Sequence, residues 1–149
     1  MNAFELLKKD HEKVSGIFEK LEPTTEEASQ MRQELFAQLK QELDVHARIE
    51  ETIFYPVLKQ AAETRELTLE ALEEHQEVKE LLAELAALPV NDENWGETLT
   101  ELKESVEHHV EEEEGEMFIK AREILSQEQI EELGQRMAAA KKQQTAAAR

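Results

Sequence analysis

Cysteine is absent from this chain. Disulfides and thiolate metal sites are therefore excluded, which leaves imidazole and carboxylate as the strong ligands available. Glycine and proline are scarce, at four and three residues, and no segment alternates in the manner of a strand, so the expected fold is all-α. Bases are few, 17 against 35 acids, giving a formal charge of -18. Nucleic acids and anionic membranes attract cationic surfaces, and neither is an expected partner. No apolar run approaches the ~20 residues that span a bilayer. Met1-Asn2-Ala3-Phe4-Glu5 has neither the basic nor the apolar region of a signal peptide. A soluble, cytoplasmic protein is expected, and the length suffices for one domain with a substantial core.

What the chain does contain is one motif written twice. His46-Ala47-Arg48-Ile49-Glu50-Glu51-Thr52-Ile53-Phe54-Tyr55 is echoed by His109-Val110-Glu111-Glu112-Glu113-Glu114-Gly115-Glu116-Met117-Phe118. Both read His-x-x-x-Glu-Glu-x-x-apolar-aromatic. Residues four apart share a helix face, so His46 with Glu50, and His109 with Glu113, each set an imidazole beside a carboxylate. The echo extends backwards: His11 in Asp10-His11-Glu12 precedes the first motif by 35 residues, and His75 in Glu74-His75-Gln76 precedes the second by 34. Two helical hairpins related by a shift of 63 to 64 residues are too few for a solenoid. They fit an antiparallel, up-down-up-down four-helix bundle.

The first helix is expected over Ala3 to Leu21, with Phe4, Leu7, His11, Val14, Phe18 and Leu21 at helical spacing. Glu22-Pro23-Thr24-Thr25 breaks it, and Thr24 or Thr25 is the expected cap of the next helix. That second helix carries Leu35, Leu39, Leu43, His46, Glu50, Ile53 and Val57 along one seam, with a kink at Pro56 and an end near Ala62. The third starts between Glu66 and Leu69 and aligns Leu72, His75, Val78, Leu82 and Leu85. After the loop from Pro89 to Asn94, the fourth aligns Leu99, Leu102, Val106, His109, Glu113 and Met117 and continues to Ile124. Residues 1–125 form the bundle. Ser126-Gln127-Glu128-Gln129 reads as a capping box that opens a short fifth helix through Ile130, Leu133 and Met137. The tail from Ala138 to Arg149 has no apolar face and is expected to fray or be disordered.

Four histidines on four different helices, each near mid-helix on a seam, fall at similar depth in an antiparallel bundle. Glu50 and Glu113 share those seams, where an unpaired charge would cost several kcal/mol. A dinuclear metal centre removes that cost. A metal-free core with six individually satisfied polar groups is the competing account, and charges are rarely buried unpaired. His108 serves as a control: its helical neighbours Glu101, Glu104, Ser105, Glu111, Glu112 and Gly115 are polar or small, so it is expected to face solvent. The run Glu111 to Glu114 lacks the EF-hand pattern and reads as a solvated face. Tyr55 falls off the strict seam, either behind the ligands or at an interface. Trp95 is expected to pack at the end of the bundle. The candidate ligands are therefore His11, His46, Glu50, His75, His109 and Glu113. Without sulfur the set disfavours a structural zinc site, and its count leaves coordination positions open on a pair of octahedral metals.

Ferritin-like di-iron bundles require Glu-x-x-His on two helices. Three residues before His11, His46, His75, His108 and His109 stand Lys8, Leu43, Leu72, Ser105 and Val106, so that motif is missing. The arrangement instead resembles the hemerythrin-like family of HHE cation-binding domains, over about residues 3–125, including the Phe54-Tyr55-Pro56 segment. The resemblance implies two iron ions with an oxo or hydroxo bridge, other divalent metals being alternatives, in which Glu50 and Glu113 bridge and the histidines cap. It further implies binding or reduction of a small oxidant: dioxygen, peroxide or nitric oxide. Oxygen-carrying members pair two histidines four apart on the third helix, whereas here Lys79 stands four after His75. They also carry Asp five after the last motif's His, where this chain has Glu four on. Those departures point to the bacterial four-His, two-Glu branch. Its implied roles span sensing, catalase- or peroxidase-like peroxide removal and iron handling, so an iron or redox sensor without turnover stays open beside an oxidant-reducing centre.

Overall fold

The computed structural model describes residues 1–147. Helix α1, Ala3–Leu21, opens on a capping box in which the Glu5 amide donates to Asn2 Oδ1 at 2.9 Å. Its whole seam, from Phe4 to Leu21, is buried. Helix α2 spans Ser29–Ile49, runs through a π-helical turn at Glu50–Phe54 and continues as α3, Tyr55–Gln60. Helix α4 is Arg65–Ala87. Helix α5, Trp95–Glu112, passes through a second π-helical turn, Glu113–Met117, into α6, Phe118–Ile124. These four limbs form the antiparallel bundle, with α1 on α2 and α4 on α5, and no strand occurs among the described residues. No helix of the structure is long and apolar enough to cross a membrane.

Helix α2 starts later than the capping signal suggests, because Thr24 is engaged elsewhere. Its hydroxyl donates to the Leu21 carbonyl at 2.5 Å and accepts from Arg32 Nε at 3.0 Å. The buried Arg32 also donates to the Thr24 and Val90 carbonyls at 2.8 and 2.6 Å, and its guanidinium lies 4.6 Å from the Trp95 ring centroid. One cation thereby ties together the two hairpin loops at the end of the bundle where Trp95 packs.

The distortion expected at Pro56 lies just ahead of it, in the turn closed by the Tyr55 amide donating to the Glu50 carbonyl. An equivalent turn, closed by the Phe118 amide on the Glu113 carbonyl, forms without any proline. Proline is therefore not the cause; both turns begin at the second motif residue, the glutamate. Two apolar clusters flank that level of the bundle. One is built around Phe4, Leu7, Phe54, Leu58 and Phe118, the other around Phe18, Leu39, Leu85, Trp95 and Leu102.

The Ser126 capping box forms, with the Gln129 amide on Ser126 Oγ at 3.1 Å and the Ser126 amide on Gln129 Oε1 at 2.8 Å. Helix α7 then runs Gln127–Ala147, ten residues beyond Met137, where fraying was expected. Ala, Lys and Gln are good helix formers, Ala140 packs against the apolar cluster, and Lys141 pairs with Asp10 of α1. The same expectation for residues 148–149 lies outside the described residues. Helix α7 approaches the start of α1 at Gly134, where a Cβ would meet the Met1 carbonyl oxygen and come within 2.7 Å of the Asn2 carbonyl carbon and 2.8 Å of the Ala3 nitrogen. These are backbone atoms that cannot swing aside. Gly134→Ala is expected to destabilise the fold by about 1–3 kcal/mol through overpacking, with the loss concentrated in α7. Urea unfolding with hydrogen exchange of α7 checks this; an unchanged midpoint would show that the close approach is unimportant.

Candidate metal centre

Helical periodicity turns one imidazole of each limb towards the axis of the bundle: His11 from α1, His46 from α2, His75 from α4 and His109 from α5. Glu50 and Glu113, 0% and 1% exposed, begin the two π-helical turns. The structure brings all six expected side chains together between the two apolar clusters. They form two overlapping groups, His11, His46, Glu50 and Glu113 on one side and Glu50, His75, His109 and Glu113 on the other. Within each group the donor atoms lie within 4.8 Å of one another, and both carboxylates belong to both groups.

Every imidazole turns Nε2 inwards. His11 Nε2 lies 3.2 Å from Glu113 Oε1, His46 Nε2 3.2 Å from Glu50 Oε1, His75 Nε2 3.0 Å from Glu50 Oε1 and His109 Nε2 3.3 Å from Glu113 Oε2. Every Nδ1 turns outwards onto a carboxylate. His11 pairs with Glu114 at 2.6 Å, His46 with Asp10 at 2.9 Å, His75 with Glu51 at 2.7 Å and His109 with Glu74 at 2.7 Å. An acceptor on Nδ1 fixes the proton there, fixes the ring orientation and frees Nε2 as a ligand.

Four of the donor atoms, His11 Nε2, His46 Nε2, Glu50 Oε2 and Glu113 Oε1, are buried with no hydrogen-bond partner. The two 3.2 Å contacts of His11 and His46 are close without hydrogen-bond alignment. Buried polar atoms are normally satisfied, and four orphans pointing at one place fit a cation bound by nitrogen and oxygen. The electrostatics agree. Burial pushes His46 down, but the Glu50 charge and the Asp10 bond outweigh it and hold the imidazole at about 10. Burial likewise pushes His109 down, but Glu113, with Glu50 and Glu74, outweighs it and raises the imidazole well above the usual histidine range. Glu50, despite its burial, is held well below the usual carboxylate range, chiefly by His46. The six residues form an acidic nest that favours positive charge.

Tyr55 takes the first of the two places expected for it, behind the ligands, although α-helical spacing alone would not bring it there. In an α-helix, five steps of about 100° put it roughly 140° away from Glu50. The wider i→i+5 turn returns it towards the same face. Its hydroxyl donates to Glu113, with which it makes a very short contact, and to Glu50 Oε1 at 3.2 Å. It also lies 3.3 and 3.4 Å from Nε2 of His75 and His109. Burial and the two glutamates raise its pKa well above the usual phenol value, so it stays protonated. Phe118 stands at the same place in the second motif, stacked on His11 with centroids 6.4 Å apart.

Asp10, Glu51, Glu74 and Glu114 were also missed as partners of the histidines. Their signal was present, since Asp10 and Glu74 precede His11 and His75 while Glu51 and Glu114 follow the two motif glutamates. His108 faces solvent as expected, with 63% of its side chain exposed, beside Glu74 and Glu112. A cavity of about 40 Å³ adjoins the four imidazoles, walled by Val14, Leu43, Val78, Leu82 and Val106, with Asp44 and Lys79 at its solvent edge.

Comparison with known proteins places the fold and the family. The model of the hemerythrin HHE cation-binding domain matches residues 2–121. A crystal structure of an HHE cation-binding domain-containing protein from Mycobacterium kansasii superposes with a TM-score of 0.88 at 33% identity, covering 99% of this chain and 90% of that one. An uncharacterised protein of Mycobacterium tuberculosis is 31% identical over 93% of this chain and 84% of its own length. A protein of Nostoc sp. named DNA nickase is 31% identical over 95% of this chain, which spans 39% of that relative's length. With a family match over most of its length and the family's His-x-x-x-Glu pairs converging in the core, the chain belongs to the hemerythrin HHE cation-binding family.

Proposed function

We propose that the six residues hold two iron ions and that the pair binds or reduces a small oxidant: dioxygen, peroxide or nitric oxide. The observation that carries this reading is the sharing of Glu50 and Glu113 between two three-dimensional donor sets whose remaining members are imidazoles. A redox metal with open coordination positions supplies the chemistry such ligands require. The protein's own part is to hold, orient and exclude. Four carboxylates on Nδ1 fix the imidazoles, the apolar clusters keep bulk water from the centre, and the small cavity admits a molecule of a few atoms. Tyr55 offers a hydroxyl at the His75–His109 side alone, where it can donate to a bound oxidant or release Glu113 for the metal. A charge of -18 supports a reading without nucleic acid or membrane among the partners, and a place in the cytoplasm is part of the same proposal.

The second reading, an iron or redox sensor without turnover, draws on the same nest. Six carboxylates meet four imidazoles at one level, so helix pairing there depends on what neutralises them. Chelation that melts helices in circular dichroism supports the sensor; oxygen release on addition of peroxide to the iron-loaded protein supports turnover.

Metal analysis of aerobically purified protein is expected to give two irons per chain. Glu50→Ala, which removes a ligand common to both positions, is expected to abolish binding of both, whereas His46→Ala strips only one position. Equal loading of all three proteins would sink the proposal.

Protons and metal compete for the same imidazoles. His46, raised to about 10, contributes stability to the metal-free protein that is fully present below its unfolded value of 6.5 and lost as pH rises through 10. Thermal melts of metal-free protein are therefore expected to fall between those pH values. Chelator competition is expected to show iron held more tightly across the same interval. A metal-free melt that rises with pH there would contradict the protonated nest.

A further inference from the structure

Of the four carboxylates that hold the histidines, Asp10 differs in its surroundings. Glu51, Glu74 and Glu114 have side chains 25%, 17% and 32% exposed, so water reaches their carboxylates, and on Glu51 the surface Lys79 also donates to Oε1 at 3.0 Å. The Asp10 side chain is 3% exposed. Its Oδ2 faces His46 Nδ1 at 2.9 Å, and its Oδ1 meets Lys141 Nζ, delivered from α7 across 131 residues of sequence. Lys141 thus supplies to the buried Asp10 the second partner that solvent, and for Glu51 the exposed Lys79, supplies at the surface. A buried carboxylate with one oxygen unpaired would rotate or draw water inwards to satisfy it, and either movement releases His46.

We propose that Lys141 is a positioning residue of the metal centre: by occupying Oδ1 of Asp10 it locks the carboxylate that orients His46, making α7 part of the iron site. The assignment rests on the reading that His46 is a ligand. It gives a purpose to the final turns of α7, which carry little apolar surface and yet reach as far as the first motif's histidine. Lys142, the next residue, is exposed and provides a control.

Iron loss from the loaded protein to excess EDTA tests this, read beside hydrogen exchange of α7. Lys141→Met is expected to release iron about 10- to 100-fold faster than wild type, the range for removal of groups that orient metal ligands. The fast phase should be confined to one of the two irons, with α7 still protected from exchange. Lys141→Arg should restore slow release and Lys142→Met should leave it unchanged. Release at the wild-type rate overturns the proposal, as does equal acceleration of both irons with α7 unprotected, which would make Lys141 a docking residue only. Should Lys141→Met fail to fold, Asp10→Asn decides. It preserves the apolar contacts of α7, is expected to show the same fast phase, and should gain nothing further from Lys141→Arg; additive effects overturn the coupling. A wild-type protein that takes up no iron defeats the underlying metal reading and this proposal with it, whereas normal wild-type loading with unaltered variants defeats this proposal alone.

Discussion

Glu50 and Glu113 meet in the middle of an apolar bundle, and most of what is unusual in the structure follows from keeping two carboxylates there. A single buried carboxylate without compensation is among the costliest groups a core can hold. Two, with four imidazoles packed around them, are tolerable only as a unit: anions at the centre, nitrogen around them, and a second ring of acids behind the nitrogen. The apolar clusters above and below are thereby kept apart as two cores. The polar layer fixes the register of all four limbs, because sliding any one by a turn would leave its imidazole among leucines and phenylalanines.

The outer ring follows the duplication. Within each hairpin the acid beside the first histidine reaches the second, Asp10 to His46 and Glu74 to His109. Between hairpins the acid after the motif glutamate crosses over, Glu51 to His75 and Glu114 to His11. The pattern therefore repeats under the exchange of halves, and each hairpin completes the other's histidines. Neither half is sufficient, since each group of donors takes two imidazoles from neighbouring helices and one carboxylate from each motif.

Much of this was legible in the order of residues. Seam spacing located the helices and the six converging side chains because burial of apolar surface sets that spacing, and the seam positions of His and Glu violate it in the same way twice. The π-helical turns were not legible, since one extra residue per turn leaves the neighbouring apolar spacing almost intact. For that reason the spacing left Tyr55 open between a place behind the ligands, which it takes, and an interface. The start of α2 was misjudged because Thr24, a good cap by type, serves Leu21 and Arg32 instead. The reach of α7 was hidden for a different reason: Ala and Gln carry no periodic signal, and the contact that fixes its end joins two residues 131 positions apart.

Where the halves differ, the centre acquires direction. Tyr55 gives the His75–His109 side a hydroxyl, while its counterpart Phe118 gives the His11 side a stacked ring without a donor. Helix α7 packs on α1, on α2 and on the π-helical turn that begins at Glu50, and its Lys141 reaches the His11–His46 side through Asp10. One side is thus stiffened from behind and apolar in front, and the other carries a polar proton within reach of its ligands. Two donor groups of like composition, but with different neighbours, would differ in their affinity for a cation and in their access to a proton. The apolar cavity is lined by imidazoles of both sides, whereas the Tyr55 hydroxyl, held on Glu113 and Glu50, stands beside the His75–His109 side. Duplication supplied the shared carboxylates, and a single hydroxyl together with a single lysine broke the symmetry between the two donor groups that share them.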